Sequence, residues 1–328
     1  MEGVDANNPP EERLPSAFLF VSPRSPSFGQ HDLVKDGRII IQDKASCFPS
    51  QILSDAWKDG DVIDACAAPG NKTSHVAAIL TSRMKQSGCK GRVSCIYAFD
   101  KSPTRKDLLQ SRMNSAGADM LVNVTNADFL TVDVNHAKYA NVSAVLLDPS
   151  CSGSGLTAKD LGRLGKHHKD EARLEKLRAF QVQAILKAMT FPGVQLISYS
   201  TCSIYDEENE SVVAEVLESR RQEGWHLVAP PRLASWKRRG HTSDGLSGDE
   251  SKCLVRCDPS DGANGFFVAL FERRAGVGGR EEEEEEEEEE GDEKQEESRA
   301  DRGAQLVPSP RKRRRIWVPL HRKGAHGW

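Results

Sequence analysis

The sequence predicts an α/β domain built on a mostly parallel sheet that closes in an antiparallel pair of strands. Three observations carry this. Residues 61–274 alternate short branched apolar runs with longer stretches whose apolar residues fall at helical spacing. The last two strand-like runs, GWHLVAP and GFFVALFERR, have no clear helix between them, so an antiparallel edge hairpin is expected. Each of the first five runs ends in small residues, an acid or a cysteine, at the edge where open α/β sheets hold ligands.

DVIDACAAP (61–69) is a short apolar run ending in small residues and forms the first strand. NKTSHVAAILTSRMKQ (71–86) places Val76, Ala77, Ile79 and Leu80 at helical spacing. VSCIYAFD (93–100) is the second strand. SPTRKDLLQSRMNSAG (102–117) is a helix with Pro103 near its start and Gly117 at its end. LVNVTNAD (121–128) and VSAVLLDP (142–149) are two more strands. DEARLEKLRAFQVQAILKAMT (170–190) is a long helix, GVQLISYSTCS (193–203) a strand and ENESVVAEVLESRR (208–221) a helix. Five strand–helix units and an antiparallel pair fit the class I sheet of S-adenosylmethionine-dependent methyltransferases: Rossmann-like, mostly parallel, seven-stranded, with an antiparallel edge hairpin.

The domain is expected over residues 58–274, behind a lead of residues 1–57 and ahead of a tail, 275–328. The tail opens on a glycine hinge and a run of ten glutamates, a block of like charge that repels itself and buries nothing, so disorder is expected. RKRRR (311–315) reads as a signal for nuclear or nucleolar import, or as loose RNA contact; a solvated charge run is the blander reading. Net charge is −4, and the tail's 11 basic and 15 acidic residues account for all of it. The body is neutral, so charge alone gives no argument for nucleic acid.

No apolar run approaches the roughly 20 residues of a membrane span. The N-terminus shows no secretory pattern, so a reducing compartment is expected. Eight cysteines then do not imply disulfides. None form CxxC, and their spacings match no zinc template, so no metal is expected.

The strand ends supply the candidate site. The first presents CAAPGNKT: Cys66, Ala67, Ala68, Pro69, Gly70, Asn71 and Lys72, then Thr73. This is not the dinucleotide pattern GxGxxG, which counts against a nicotinamide cofactor. Small residues still let a ligand approach the backbone, and the following helix N-terminus offers N–H groups to an anionic group. Asp100 ends the second strand, where an acid takes a ribose diol in nucleotide folds. Asp128 follows the third and could accept from an adenine amine. Asp148 follows the fourth. Any one of these acids alone reads as a cap or turn residue; acids at three successive strand ends read as a site.

Two thiols complete it. Cys151 lies just past the fourth strand and Cys202 at the end of the fifth. Those strands are expected to be neighbours, about 4.8 Å apart. Both sulfurs then face one bound base. Cytosine C5 is a poor nucleophile, and a thiolate adding to C6 turns it into an enamine-like carbon. One cysteine suits that addition. The second suits deprotonation or release. Asp148 can hydrogen-bond the N3/N4 edge. The thiolate needs a cationic or helix-end setting, which Lys72 and the helix after Cys202 could supply. Residues 159–178, with seven Lys/Arg against four acids, and WKRRGH (236–241) are candidate phosphate and base contacts; a solvated helix face is the alternative.

At these residues a resemblance becomes specific. DACAAPGNKT, AFD, NADF, LLDPSCSGSG and YSTCSIYDEENE resemble, in order, the NSUN or RsmB-like family of RNA cytosine-5 methyltransferases, over about Ile39 to Arg273. Most members carry Asp-Ala-Pro-Cys in the fourth-strand motif. The variant here, Asp148-Pro149-Ser150-Cys151, is similar to the branch of the fifth NSUN protein of vertebrates, which acts on large-subunit ribosomal RNA. The resemblance implies Cys202 as nucleophile and Cys151 as the cysteine for product release. It also implies Cys66 to Lys72, Asp100, Arg105, Asp128 and Asp148 as contacts to S-adenosyl-L-methionine, with Asp148 near the base as well. It further implies 5-methylcytosine as product, RNA as partner (with pre-ribosomal proteins), a monomer, and a nuclear, nucleolar site of action. Relatives carry an N-terminal RNA-binding region before the segment matching IIIQDKASCFPSQIL, so residues 1–57 are expected to be its remnant. Rival readings are a DNA cytosine methyltransferase, a non-catalytic ribosome-assembly factor on the same scaffold, and a redox thiol protein.

Overall fold

The computed structural model describes residues 28–86, 93–156 and 170–274. Cys89, the basic stretch 157–169 and the whole tail from 275 lie outside the described residues.

The strands are β1 (Asp61–Asp64), β2 (Ile96–Asp100), β3 (Val122–Asn126), β4 (Val142–Leu147), β5 (Leu196–Thr201), β6 (Trp225–Leu227), β7 (Val255–Cys257) and β8 (Phe266–Arg273). They form one sheet in the order β3-β2-β1-β4-β5-β8-β6, with β7 paired to β8 beside this path. The first five pair parallel, and β8 runs antiparallel to β5, β6 and β7. The expected parallel sheet with an antiparallel edge is therefore present. Its eighth strand, three-residue β7, is an addition to the seven expected.

The helices are α1 (Asp32–Lys35), α2 (Lys44–Ala56), α3 (Asn71–Gln86), α4 (Pro103–Ser115), α5 (Glu171–Met189), α6 (Glu210–Arg220) and α7 (Gly248–Cys253). Local chemistry sets their ends. The Ser102 hydroxyl accepts from Arg105 N–H and Pro103 opens α4; the Asp170 carboxylate accepts from Arg173 N–H at the start of α5. Among the described residues no helix is long and apolar enough to cross a membrane.

Because side chains alternate along a strand, the sheet has two apolar faces. Val62, Ala144, Leu146, Val268 and Leu270 point to one, where α2, α3 and α4 pack through Phe48, Ile52, Leu80 and Leu109. Ile63, Val145, Leu147, Ile197 and Phe267 point to the other, against Ile185 and Ala188 of α5 and Val213 and Leu217 of α6. The boundary expected at 57/58 does not separate a lead from the domain. Ala45, Phe48, Ile52, Leu53 and Trp57 are all buried in the first core, so α2 belongs to the folded body.

Candidate active site

Every parallel strand ends at the same edge, so the residues just past β1, β2, β3, β4 and β5 are brought together. After β1, the loop 65–70 leads straight into α3. Gly70 takes a left-handed backbone (φ +104°), and a Cβ there would meet Leu109 of α4 at 2.8 Å. Only glycine lets the loop lie this close to α4. Arg105, from α4, donates to the Ala68 carbonyl at 2.5 Å and sits 3.3 Å from an Asp100 carboxylate oxygen. It therefore holds the loop and orients the acid at once. The other Asp100 oxygen accepts from Ser102 N–H at 2.9 Å. Asp128 accepts from Leu130 N–H at 3.1 Å, capping a short 3-10 turn, which is the turn role weighed for it above.

Asp64, which ends β1, escaped the reading of the sequence. It follows the same rule as the other three acids. It is buried, accepts from the Thr73 hydroxyl at 2.7 Å, and burial pushes its carboxyl up to about 7 against that hydrogen bond.

The other half of the site is built by β4 and β5. The register pairs Leu147 with Tyr199, so Asp148 and Ser200 come next on each strand. The Ser200 hydroxyl donates to one Asp148 oxygen at 2.7 Å, and the Lys72 ammonium binds the other at 2.7 Å. Lys72 also lies 5.3 Å over the Phe266 ring. Its side chain is 12% exposed; burial acts to lower its pKa, yet Asp148 outweighs this and holds the ammonium above its ordinary value. Lys72 thus reaches Asp148 and acts on Cys202 as well.

Cys151 and Cys202 have their sulfurs 3.2 Å apart, as free thiols. They share one hydrogen bond. Its direction follows from the surroundings. The bond from Cys151 holds Cys202 below the ordinary thiol range; burial and Asp148 oppose this and Lys72 assists. That bond and burial push Cys151 well up, with Glu208 adding to the rise. The asymmetry makes Cys151 the donor of the pair and Cys202 the sulfur that gives up its proton first.

The loops carrying these sulfurs are tied to each other. Gly155 N–H donates to Cys202 O at 2.9 Å, and Gly265 N–H to Gly155 O at 2.8 Å. The hydroxyls of Ser152, Ser154 and Ser203 form a triangle with 3.1 Å sides. Asn209, at the start of α6, leaves that helix without a side-chain cap; it accepts from the Thr201 hydroxyl at 2.6 Å and donates to Ser203 O at 3.0 Å.

Two further features lie outside this constellation. Asp206, Glu210 and His241 place ligand atoms within 4.8 Å of one another. Arg256 binds both carboxylates and donates to Ile204 O at 3.0 Å, so the cluster is an ion-pair network around a buried guanidinium. Trp236, expected as a ring for stacking on a base, is half-buried and packed within the fold. Its indole N–H donates to Arg256 O at 2.7 Å, Phe48 meets it edge-on at 5.1 Å, and Lys44 lies 5.0 Å over it. Arg238 is paired with Asp261 and Arg239 with the Leu233 carbonyl. The remaining basic stretch expected to meet RNA lies mostly in 157–169, outside the described residues.

The chain is similar to several known proteins. The family described as 16S rRNA methyltransferase RsmB/F matches residues 51–272. A 28S rRNA (cytosine-C(5))-methyltransferase of Mus musculus is 39% identical over 255 residues, 78% of this chain and 51% of that protein. A 25S rRNA (cytosine-C(5))-methyltransferase, rcm1, of Schizosaccharomyces pombe is 38% identical, covering 74% and 52%. The chain thus spans about half the length of these curated relatives. Among solved structures, NSun6 from Pyrococcus horikoshii with SFG has a TM-score of 0.58 at 22% identity, over 76% of this chain and 56% of that one, and shares the fold.

Proposed function

The chain belongs to the RsmB/F family of methyltransferases, and on that premise we propose that it forms 5-methylcytosine in large-subunit ribosomal RNA, through a covalent adduct on Cys202. The observation that carries the reading is the pair of sulfurs 3.2 Å apart beside Lys72 and Asp148.

S-adenosyl-L-methionine fits the residues at the other half of the edge. Ala67, Ala68 and Gly70 keep the loop free of bulky side chains, Asp100 offers a carboxylate to a diol, and the α3 N-terminus follows directly. Cys66 to Lys72, Asp100, Asp128 and Asp148 would hold it, with Arg105 fixing the loop. When bound, it supplies an electrophilic methyl on a sulfonium whose departing thioether keeps the bonding pair.

The chain's own residues do the rest. The Cys202 thiolate forms a bond to cytosine C6, and the electrons of the C5–C6 double bond make C5 nucleophilic. Asp148, held by Lys72 and Ser200, is placed to accept from the cytosine N4 amine and so orient the base. Alkylation removes the negative charge on Cys202 that kept Cys151 protonated. Cys151 can then lose its proton to solvent and take the C5 proton. The C5–H pair re-forms the double bond, and the C6–S pair returns to Cys202. The cycle ends where it began, with a Cys151 thiol donating to a Cys202 thiolate, and one proton released overall.

Tritiated methyl transfer into ribosomal RNA tests the reading, with DNA as competitor. Cys202→Ala is expected to abolish transfer, and Cys151→Ala to trap a protein–RNA adduct that survives denaturation. Full activity of Cys202→Ala, or absence of the adduct in Cys151→Ala, overturns the assignment.

A further inference from the structure

Glu208 is fully buried and ends a 3-10 turn before α6. One of its oxygens accepts from Ser152 N–H at 2.9 Å and from Gln181 of α5 at 3.0 Å. Gln181, itself fully buried, also donates to Ser150 O at 3.1 Å. Glu208 and Gln181 therefore grip the chain on both sides of Cys151. The Glu208 carbonyl in turn accepts from the Tyr199 hydroxyl of β5 at 2.6 Å, three residues before Cys202. A buried carboxylate is a costly group to place in a core. Its hydrogen bonds tie the segment that carries Cys151 to α5, while the backbone carbonyl of the same residue holds the strand that leads to Cys202.

We propose that Glu208 is the positioning residue for the release step, holding the Cys151 thiol against Cys202 through Ser152 and Gln181. This rests on the reading of Cys151 as the release cysteine. The nucleophile does not depend on the same grip. Cys202 follows β5, whose register is set by β4 and β8, and Asn209 ties Thr201 and Ser203 on either side of it. Loosening Glu208 should thus let Cys151 drift while Cys202 still adds to the base. The adduct then forms and fails to resolve.

The position of Cys151 can be read without any catalysis. Diamide oxidises two adjacent thiols to a disulfide, taking up two protons and two electrons to become the hydrazine. Closure of the Cys151–Cys202 bond is followed by mass spectrometry of the linking peptide in wild type, Glu208→Ala, Glu208→Gln and Gln181→Met, with thermal melts alongside. The same proteins are assayed for denaturation-resistant RNA adduct and for single-turnover and steady-state methyl transfer. Glu208→Ala is expected to slow closure and steady-state turnover about tenfold or more, to accumulate adduct, and to leave the single-turnover rate close to wild type. Glu208→Gln keeps a carbonyl oxygen for Ser152 N–H and should restore both closure and release. Closure at the wild-type rate in Glu208→Ala overturns the proposal. So does parallel loss of single-turnover and steady-state rates without adduct in a folded variant. Should Glu208→Ala not fold, slowed closure in Gln181→Met supports the proposal, and unchanged closure overturns it. Slowed closure in the variants alongside a wild type that methylates no RNA would leave Glu208 as the support of Cys151 and remove the methyltransferase reading instead.

Discussion

At the scale of single residues, the site's charge is arranged around Lys72. It pairs with Asp148, which raises the Cys202 pKa, and it lowers that pKa directly. Replacing it by Gln keeps a donor for Asp148 but removes the cation. The Cys202 pKa must then rise, so the acid limb of the pH–rate profile is expected to move up by about one unit or more. On the acid side of that limb the rate then falls about tenfold or more, and raising the pH recovers much of the loss. A profile lowered evenly at all pH, with its limb unmoved, would mean that Lys72 acts only by position. Asp100, Asp128 and Asp148 were legible because each closes or follows a strand-like run; Asp64 closes β1 in the same way and was passed over because the run continues into Ala65 and Cys66. Glu208, Ser200 and Gln181 were not legible. Their partners are fixed by the strand register and by the α5 packing, which single-sequence spacing does not carry.

At the scale of elements, helical spacing and end signals located the helices over 71–86, 103–115, 171–189 and 210–220, and the alternation of strand and helix implied the parallel sheet. Four elements were missed for physical reasons, and two of them, α1 and α7, are four and six residues long, too short for helical spacing to show. Strand β7 is three residues long, too short to show alternation. Helix α2 reads as a polar segment broken by Pro49, yet its Ser50, Gln51 and Ser54 are buried along with its apolar residues. The crossing of the Cys151 loop over the start of β8 is another contact that spacing cannot show. A Cβ on Gly155 would lie 2.2 Å from the Gly265 carbonyl oxygen, so Gly155→Ala must push two backbones apart. Chemical denaturation is expected to show a loss of about 1–3 kcal/mol, as for other overpacked sites. Gly248→Ala is the control. It meets nothing within 4 Å at the first position of α7, and should leave stability unchanged or slightly higher. Equal stability of the two variants would show that the crossing is looser than these distances.

At the scale of the whole molecule, two buried groups on α3 and β1 make stability depend on pH in opposite directions. Asp64, raised to about 7 from an ordinary 3.8, stays protonated in the fold while the unfolded chain has already ionised. The folded state binds the extra proton, so this group's contribution is present below about pH 4 and is lost as pH rises to 7. His75, bonded to Gln51 at 2.9 Å, is lowered by burial to about 4 from an ordinary 6.5. Here the unfolded chain binds the extra proton, so stability is lost as pH falls from about 6.5 to 4. Between pH 5 and 8 the two changes are each roughly 2–3 kcal/mol and nearly cancel in the native protein. Asp64→Asn keeps an oxygen for the Thr73 hydroxyl and removes one of the pair. The variant should therefore gain stability from pH 5 to pH 8 where the native protein stays almost level, with the gap between them shifting in the variant's favour by roughly 2–3 kcal/mol. Urea denaturation at the two pH values measures this. Parallel curves for the two proteins would place the Asp64 titration outside this range, and with it the claim that this carboxyl is neutral beneath the cofactor loop.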